Sequence, residues 1–223
     1  MNVLELHAGS RSIGKVADSL GYNVFSVDWT NYDGIDLVID IEKLQPSDIP
    51  FIPDIIWTSP DCTTYSIAAI SHHRNGTEPV SDYAKKCDAV NFHQIDLINY
   101  FLKLNPNLKF YIENPRGMMR KMPFVNGLDR ATVWYCTYGD DRAKPTDIFT
   151  NNLYSVFNPK GWIPKHECHN GNKNCHHESA PRGSKTGTQG KKDSYNRSKI
   201  PEQLALDILK SCHYEVQELQ REV

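Results

Sequence analysis

The chain of 223 residues is 39% hydrophobic and 23% charged, a balance that supports one packed domain with a small appendage and excludes wholesale disorder. No apolar run approaches the ~20 residues of a membrane-spanning helix, and the opening Met1–Leu6 lacks the basic-then-apolar pattern of a secretory leader. A cytoplasmic monomer with no membrane contact is expected. The net charge of −2 is unevenly spread: residues 151–200 carry a balance of +6 and the remainder −8, so the basic stretch is a candidate for contact with a polyanion. The six cysteines have no disulfide-scaffold spacing and read as reduced thiols, available for catalysis or metal binding.

In chain order, Val3–His7 is predicted as a first strand and Gly14–Leu20 as a helix closed by Gly21. Asn23–Asp28, Asp36–Ile39 and Asp54–Thr58 follow as the second, third and fourth strands. A long helix is predicted over Tyr83–Leu104, with Ala89, Phe92, Ile95, Leu97, Ile98 and Phe101 at helical spacing and Asn105-Pro106 closing it. Lys109–Glu113, Thr132–Tyr138 and Asp147–Thr150 complete the strands. Residues 151–195 show no sustained period, and Pro201–Arg221 reads as a last helix. Strands alternating with helices predict an α/β fold: a mostly parallel seven-stranded sheet with helices on both faces. Ligands of such sheets bind beyond the carboxyl ends of the strands, where chemistry is to be sought.

The first strand runs into His7-Ala8-Gly9-Ser10, small residues that let a backbone approach a ligand before turning into a helix. The second strand ends in Asp28-Trp29, an acid suited to a ribose hydroxyl pair beside a ring able to stack on adenine. The third ends at Asp40, a candidate acceptor for an adenine amino group. Together these three ends suggest an adenosine-containing cofactor. The fourth strand leads through Ser59-Pro60-Asp61 to Cys62, a thiol just past the sheet edge that becomes a nucleophile if its pKa is lowered. The fifth delivers Glu113, followed by Asn114-Pro115, to the adjoining end. A thiol and a carboxyl group facing one cavity is the most informative feature of the sequence.

With these residues in place, the chain resembles the DNA cytosine-5 methyltransferases, in a shortened form like those of bacteriophages. Leu6-His7-Ala8-Gly9-Ser10 resembles the family's first cofactor motif, Pro60-Asp61-Cys62 its Pro-Pro-Cys nucleophile motif, and Glu113-Asn114-Pro115 its Glu-Asn-Val motif. Tyr138–Thr146 resembles a degraded Gln-x-Arg-x-Arg segment in which Lys144 and Arg142 keep positive charge. Ser198-Lys199-Ile200-Pro201 resembles the final cofactor motif. The resemblance implies a Rossmann-like methyltransferase using S-adenosylmethionine, held by His7, Ala8, Gly9, Ser10, Asp28, Trp29, Asp40, Ser59 and Pro60. It implies Cys62 as the covalent nucleophile toward carbon 6 of cytosine, Glu113 as the partner of N3, and DNA as substrate. Two rival readings remain: methylation of an exocyclic amino group, for which Ser59-Pro60-Asp61-Cys62 loosely resembles Ser-Pro-Pro-Tyr, and a DNA-binding protein that has lost turnover.

The expected organisation is a catalytic domain over 1–150, a small basic target-recognition insertion over 151–195, and a helix over 196–223 completing the domain. Within Tyr65–Ser81, Arg74 is expected to face DNA from a loop that closes over an extruded base. Arg182, Lys185 and Gln189 are the insertion's candidate DNA contacts, alongside Lys144. Cys168, Cys175 and His176 or His177 could supply a tetrahedral zinc, with Cys136 or His166 as fourth ligand; a hydrogen-bonded polar loop is the competing reading.

Overall fold

The computed structural model describes residues 1–178 and 193–219. Asn2–Leu6 forms β1, Ser12–Ser19 α1, Asn23–Asp28 β2, Leu37–Val38 β3 and Ile55–Thr58 β4. A short helix Ile70–His73 (α2) precedes a small hairpin of Arg74–Asn75 (β5) and Glu78–Pro79 (β6), and Asp82–Leu104 is the long helix α3. Lys109–Pro115 (β7), Asp129–Trp134 (β8) and Pro145–Thr150 (β9) follow, then Ser194–Ser198 (α4) and Glu202–Leu219 (α5). Seven strands make one sheet in the order β3-β2-β1-β4-β7-β9-β8. All neighbours are parallel except β9, which runs antiparallel to both β7 and β8.

The sheet is buried on both faces, which explains the apolar runs of its central strands. Successive side chains in β1 point to opposite sides. Leu4 and Leu6 join Ile56, Ile112 and the α3 residues Leu97, Ile98 and Phe101 in one core. Val3 joins Ile55, Trp57 and Tyr111 with Ile13 and Val16 of α1 and Leu204 and Ile208 of α5 in the other. Trp162 and Leu153, from the region expected to be a separate insertion, also pack in this second core. The predicted sixth strand ends early. At Tyr135 the chain leaves the sheet as a 3-10 turn, Tyr135–Tyr138, closed by Gly139 at φ 87°, and Thr137 Oγ1 donates to the Trp134 carbonyl at 2.8 Å.

Glu5 lies on the α1 side of β1 and is buried among hydrogen-bond donors. Its carboxyl accepts the Ile13 N–H at 3.0 Å and the Ser26 hydroxyl at 3.0 Å, closing the start of α1 from beneath. A side chain on Gly14 would meet Glu5 Oε2 at 2.7 Å, so this position admits only glycine without rearrangement. Burial pushes the Glu5 pKa from 4.5 up to about 7, against the opposing pull of its hydrogen bonds and Arg11. A raised carboxyl pKa means that the folded state holds the proton more tightly. Stability from this group is therefore present below pH 4.5 and lost as pH rises through about 7. Glu5→Gln keeps the acceptor and removes the charge. It should leave stability at pH 5 nearly unchanged and raise it at pH 8.5 by up to about 3 kcal/mol in denaturant melts.

Candidate active site

The carboxyl ends of β1, β2, β4 and β7 adjoin one another, so the residues that leave them converge. After β1 the backbone turns sharply: His7, Gly9 and Arg11 take φ values of 53°, 49° and 54°. Only one of the three is glycine, and non-glycine residues in this region carry a strain commonly found at ligand sites. The Asp28 carboxylate at the end of β2 fixes this turn, accepting the Gly9 N–H at 2.9 Å and the Thr30 N–H at 2.8 Å. Trp29 beside it is 72% exposed, an unusual state for an indole. Ser10 Oγ lies 2.8 Å from Ser12 Oγ, which accepts the Ile200 N–H at 3.2 Å. The segment before α5 is thereby seated on the β1–α1 turn. At β3, Asp40 caps a 3-10 turn and pairs with Lys86 at 2.7 Å, and this bond holds its carboxyl below the usual range. His7 Nε2 is buried without a hydrogen-bond partner among the described residues, and burial lowers the ring's pKa.

Ser59 follows β4 and accepts the Trp57 indole N–H at 2.8 Å. Pro60, Asp61 and Cys62 then cross toward β7. Asp61 Oδ1 accepts the Thr63 N–H at 2.6 Å and its Oδ2 accepts the Tyr83 hydroxyl at 2.7 Å, fixing the turn that presents the half-buried Cys62. Asn114 Nδ2 donates to the Pro60 carbonyl at 3.0 Å, tying the cysteine turn to the end of β7. Next to it Glu113, 4% exposed, accepts the Tyr135 hydroxyl on Oε1 at 2.9 Å. Lys144 Nζ lies 3.7 Å from the same oxygen and 4.7 Å from the Tyr135 ring. Burial raises the Cys62 thiol pKa, the Lys144 charge lowers it, and the Glu113 and Asp61 charges raise it further. Thiol, carboxylate and ammonium are thus within electrostatic reach of one another.

Two basic residues expected at a DNA surface are elsewhere. Lys144, just before β9, turns inward to Glu113. Arg74 is 4% exposed and fully engaged. Its guanidinium pairs with both oxygens of Asp88 at 2.6 and 2.9 Å, donates to the Thr64 carbonyl at 2.9 Å, and covers the Tyr65 ring at 4.3 Å. Tyr65 donates to Asp88 at 2.7 Å and accepts from Asn91 at 2.9 Å; Asn91 accepts from Gln94 at 2.5 Å, and Gln94 from Thr58 at 2.6 Å. This continuous buried network anchors the chain after Cys62 to α3. Arg74→Met should cost about 3–5 kcal/mol, because Asp88 is left without its cation, whereas adding Asp88→Leu should restore most of the loss. Denaturant melts of the two variants check this.

Arg142, which shares the basic segment with Lys144, is likewise withdrawn from the surface. It pairs with Asp140 and donates to the Arg197 and Lys199 carbonyls at 2.8 and 3.0 Å. Of the two histidines expected as alternative ligands, His176 donates from Nε2 to the Asp140 carbonyl at 3.1 Å, whereas His177 lies against Cys168. Arg182, Lys185 and Gln189 lie outside the described residues. Asn114, which ties down the cysteine turn, is itself a residue of the Glu113-Asn114-Pro115 motif, whereas Tyr135, which holds Glu113, carries no sequence signal.

No protein-family model and no curated protein matches the chain. Solved structures do. A prophage-encoded protein of E. coli described as a DNA modification methyltransferase aligns with TM-score 0.50 at 16% identity, over 75% of this chain and 52% of that one. The Entamoeba histolytica methyltransferase EhMeth aligns with TM-score 0.52 at 13% identity, over 75% and 57%. The chain therefore has the α/β fold of these methyltransferases and spans just over half their length. No described helix is long and apolar enough to cross a membrane.

Proposed function

We propose that this protein transfers a methyl group from S-adenosylmethionine to carbon 5 of cytosine in DNA, with Cys62 as covalent nucleophile. The observation that carries this reading is the convergence of Cys62, Glu113 and Lys144 at the ends of β4 and β7, beside the Asp28–Trp29 turn. The cofactor side fits an adenosyl ligand. Each Asp28 oxygen holds one backbone N–H and keeps a lone pair for a ribose hydroxyl, while the exposed Trp29 ring offers a flat face to adenine. His7 Nε2, buried at the same turn, has no hydrogen-bond partner among the described residues. Bound there, S-adenosylmethionine supplies an electrophilic methyl group.

The chain's own residues would make carbon 5 reactive. The Cys62 thiol gives up its proton to water, its sulfur adds as thiolate to carbon 6 to form a C–S bond, and the displaced π electrons move through the ring toward N3. Glu113 acts in its protonated form: with Oε1 held by the Tyr135 hydroxyl, the other oxygen donates its proton to N3 as negative charge develops there, and takes it back when the thiolate leaves. Lys144 stabilises the thiolate and balances the carboxylate. After methylation, loss of the carbon 5 proton to water or a neighbouring base lets the electrons return and expel the thiolate. The target base must be unpaired or extruded to reach the cleft.

Nucleoside mass spectrometry and bisulfite sequencing of DNA from cells expressing the protein test this reading. The expected result is 5-methylcytosine in a defined sequence context, absent with Cys62→Ser. N4-methylcytosine or N6-methyladenine in its place would contradict the thiol mechanism, and no modified base with folded, cofactor-exposed protein would contradict the activity.

A further inference from the structure

Away from the catalytic cleft, Cys136, Cys168, Cys175 and His177 bring their ligand atoms within 4.8 Å of one another. We propose that these four side chains bind one structural zinc ion. A tetrahedral site with Zn–S of ~2.3 Å and Zn–N of ~2.0 Å separates its ligands by about 3.5–3.8 Å, so the four are already close to that arrangement. Cys168 Sγ and His177 Nδ1 are 3.8 Å apart. His177 Nε2 lies 3.5 Å from the Asn170 carbonyl, which orients Nδ1 toward the sulfurs, as outer carbonyl partners do for zinc-bound histidines. Asn172 Nδ2 donates to Cys168 Sγ at 3.4 Å and holds that sulfur toward the other ligands. Two turns create this convergence, Asn172 N–H to the His169 carbonyl at 3.0 Å and Cys175 N–H to the Asn172 carbonyl at 3.3 Å.

The packing around the site supports a metal for a second reason. The hydrophobic cluster here consists of Trp134, Cys136, Ala143 and Cys168 with Cys175 against it, so three of its five members are the ligands themselves. So little hydrocarbon does not fix a loop, whereas a structural zinc contributes folding energy directly. Three cysteines and one histidine fill a tetrahedron and leave no open position, which makes the role structural rather than hydrolytic. Cys136 is adjacent in sequence to Tyr135, the residue that holds Glu113, and His177 directly precedes the basic stretch that follows residue 178. The ion would clip that stretch's entry to the turn behind the catalytic carboxylate. This inference is independent of the methyl-transfer reading.

The test is zinc content by mass spectrometry in full-length protein purified without a metal-affinity step and with thiols kept reduced. About one zinc per chain is expected, with X-ray absorption showing three sulfurs near 2.3 Å and one nitrogen near 2.0 Å. His177→Ala should sharply weaken retention against a chelator, and His176→Ala should retain zinc like the parent. Substoichiometric zinc after incubation with zinc and removal of excess would overturn the proposal, as would a disulfide among the three cysteines in reduced preparations. Equal dependence on His176 would overturn the ligand set, and the two histidine variants, both judged against the parent's circular dichroism, keep that outcome distinct from misfolding.

Discussion

Cys62→Ser is expected to lower methyl transfer to cytosine by roughly 10⁴-fold or more, the scale on which a covalent nucleophile's loss is felt when it acts as a unit with its neighbours. A serine hydroxyl at this turn would meet the same Lys144 ammonium, but one positive charge does not ionise an alcohol at neutral pH. The substitution changes one atom of a half-buried side chain whose turn is fixed by Asp61, Tyr83 and Asn114, so the fold should persist. Binding of S-adenosylmethionine, measured by calorimetry, should be nearly unchanged, because the contacts proposed for the adenosyl group lie at the ends of β1 and β2 and the Cys62 sulfur is not among the proposed cofactor contacts. A variant with a tenth or more of the parent's rate would remove Cys62 from the chemistry.

Glu113→Gln should lower methyl transfer by about 10²-fold or more, within the range for loss of a positioned acid or base. The amide can still donate a hydrogen bond to N3 but cannot pass a proton. The same substitution should act in the opposite direction on the thiol. Burial holds the Cys62 pKa up, and the Glu113 charge pushes it higher still, so neutralising that charge lowers it. At fixed pH the thiolate fraction increases, and alkylation of Cys62 by iodoacetamide should become faster while methyl transfer becomes slower. Lys144→Met should give slower alkylation, since its charge lowers the Cys62 pKa. A purely structural effect of Glu113 would not produce opposite signs in these two assays.

The strands were legible because each is a short apolar or β-branched run bounded by Gly, Pro, Asn or Asp, and their order placed Cys62 and Glu113 at neighbouring ends of a parallel sheet. Asp28 and Trp29 were legible for the same reason. Arg74 was not. A basic residue in a polar stretch reads as surface, and its burial depends on Asp88, fourteen positions later on α3, whose partner no local pattern reveals. Lys144 was read as a charge toward DNA; its contact with Glu113 comes from the pairing of β9 with β7, which no local pattern reveals. Tyr135 was hidden in an expected strand that turns into a 3-10 helix. His176 and His177 are adjacent, and only the fold of the loop separates a ring that meets the cysteines from one bonded to a carbonyl.

A pool of random-sequence DNA in which every deoxycytidine is replaced by its 5-fluoro analogue, incubated with the protein and S-adenosylmethionine and then denatured, interrogates the chemistry without knowledge of the target sequence. Fluorine at carbon 5 cannot leave as a proton does, so the sulfur that has added to carbon 6 stays bonded to the ring. The proposed mechanism requires a denaturant-resistant protein–DNA species whose digested peptide carries the nucleotide on Cys62. Methylation of ordinary cytosine at carbon 5 by the same preparation, without that species or with the nucleotide on another residue, would contradict it.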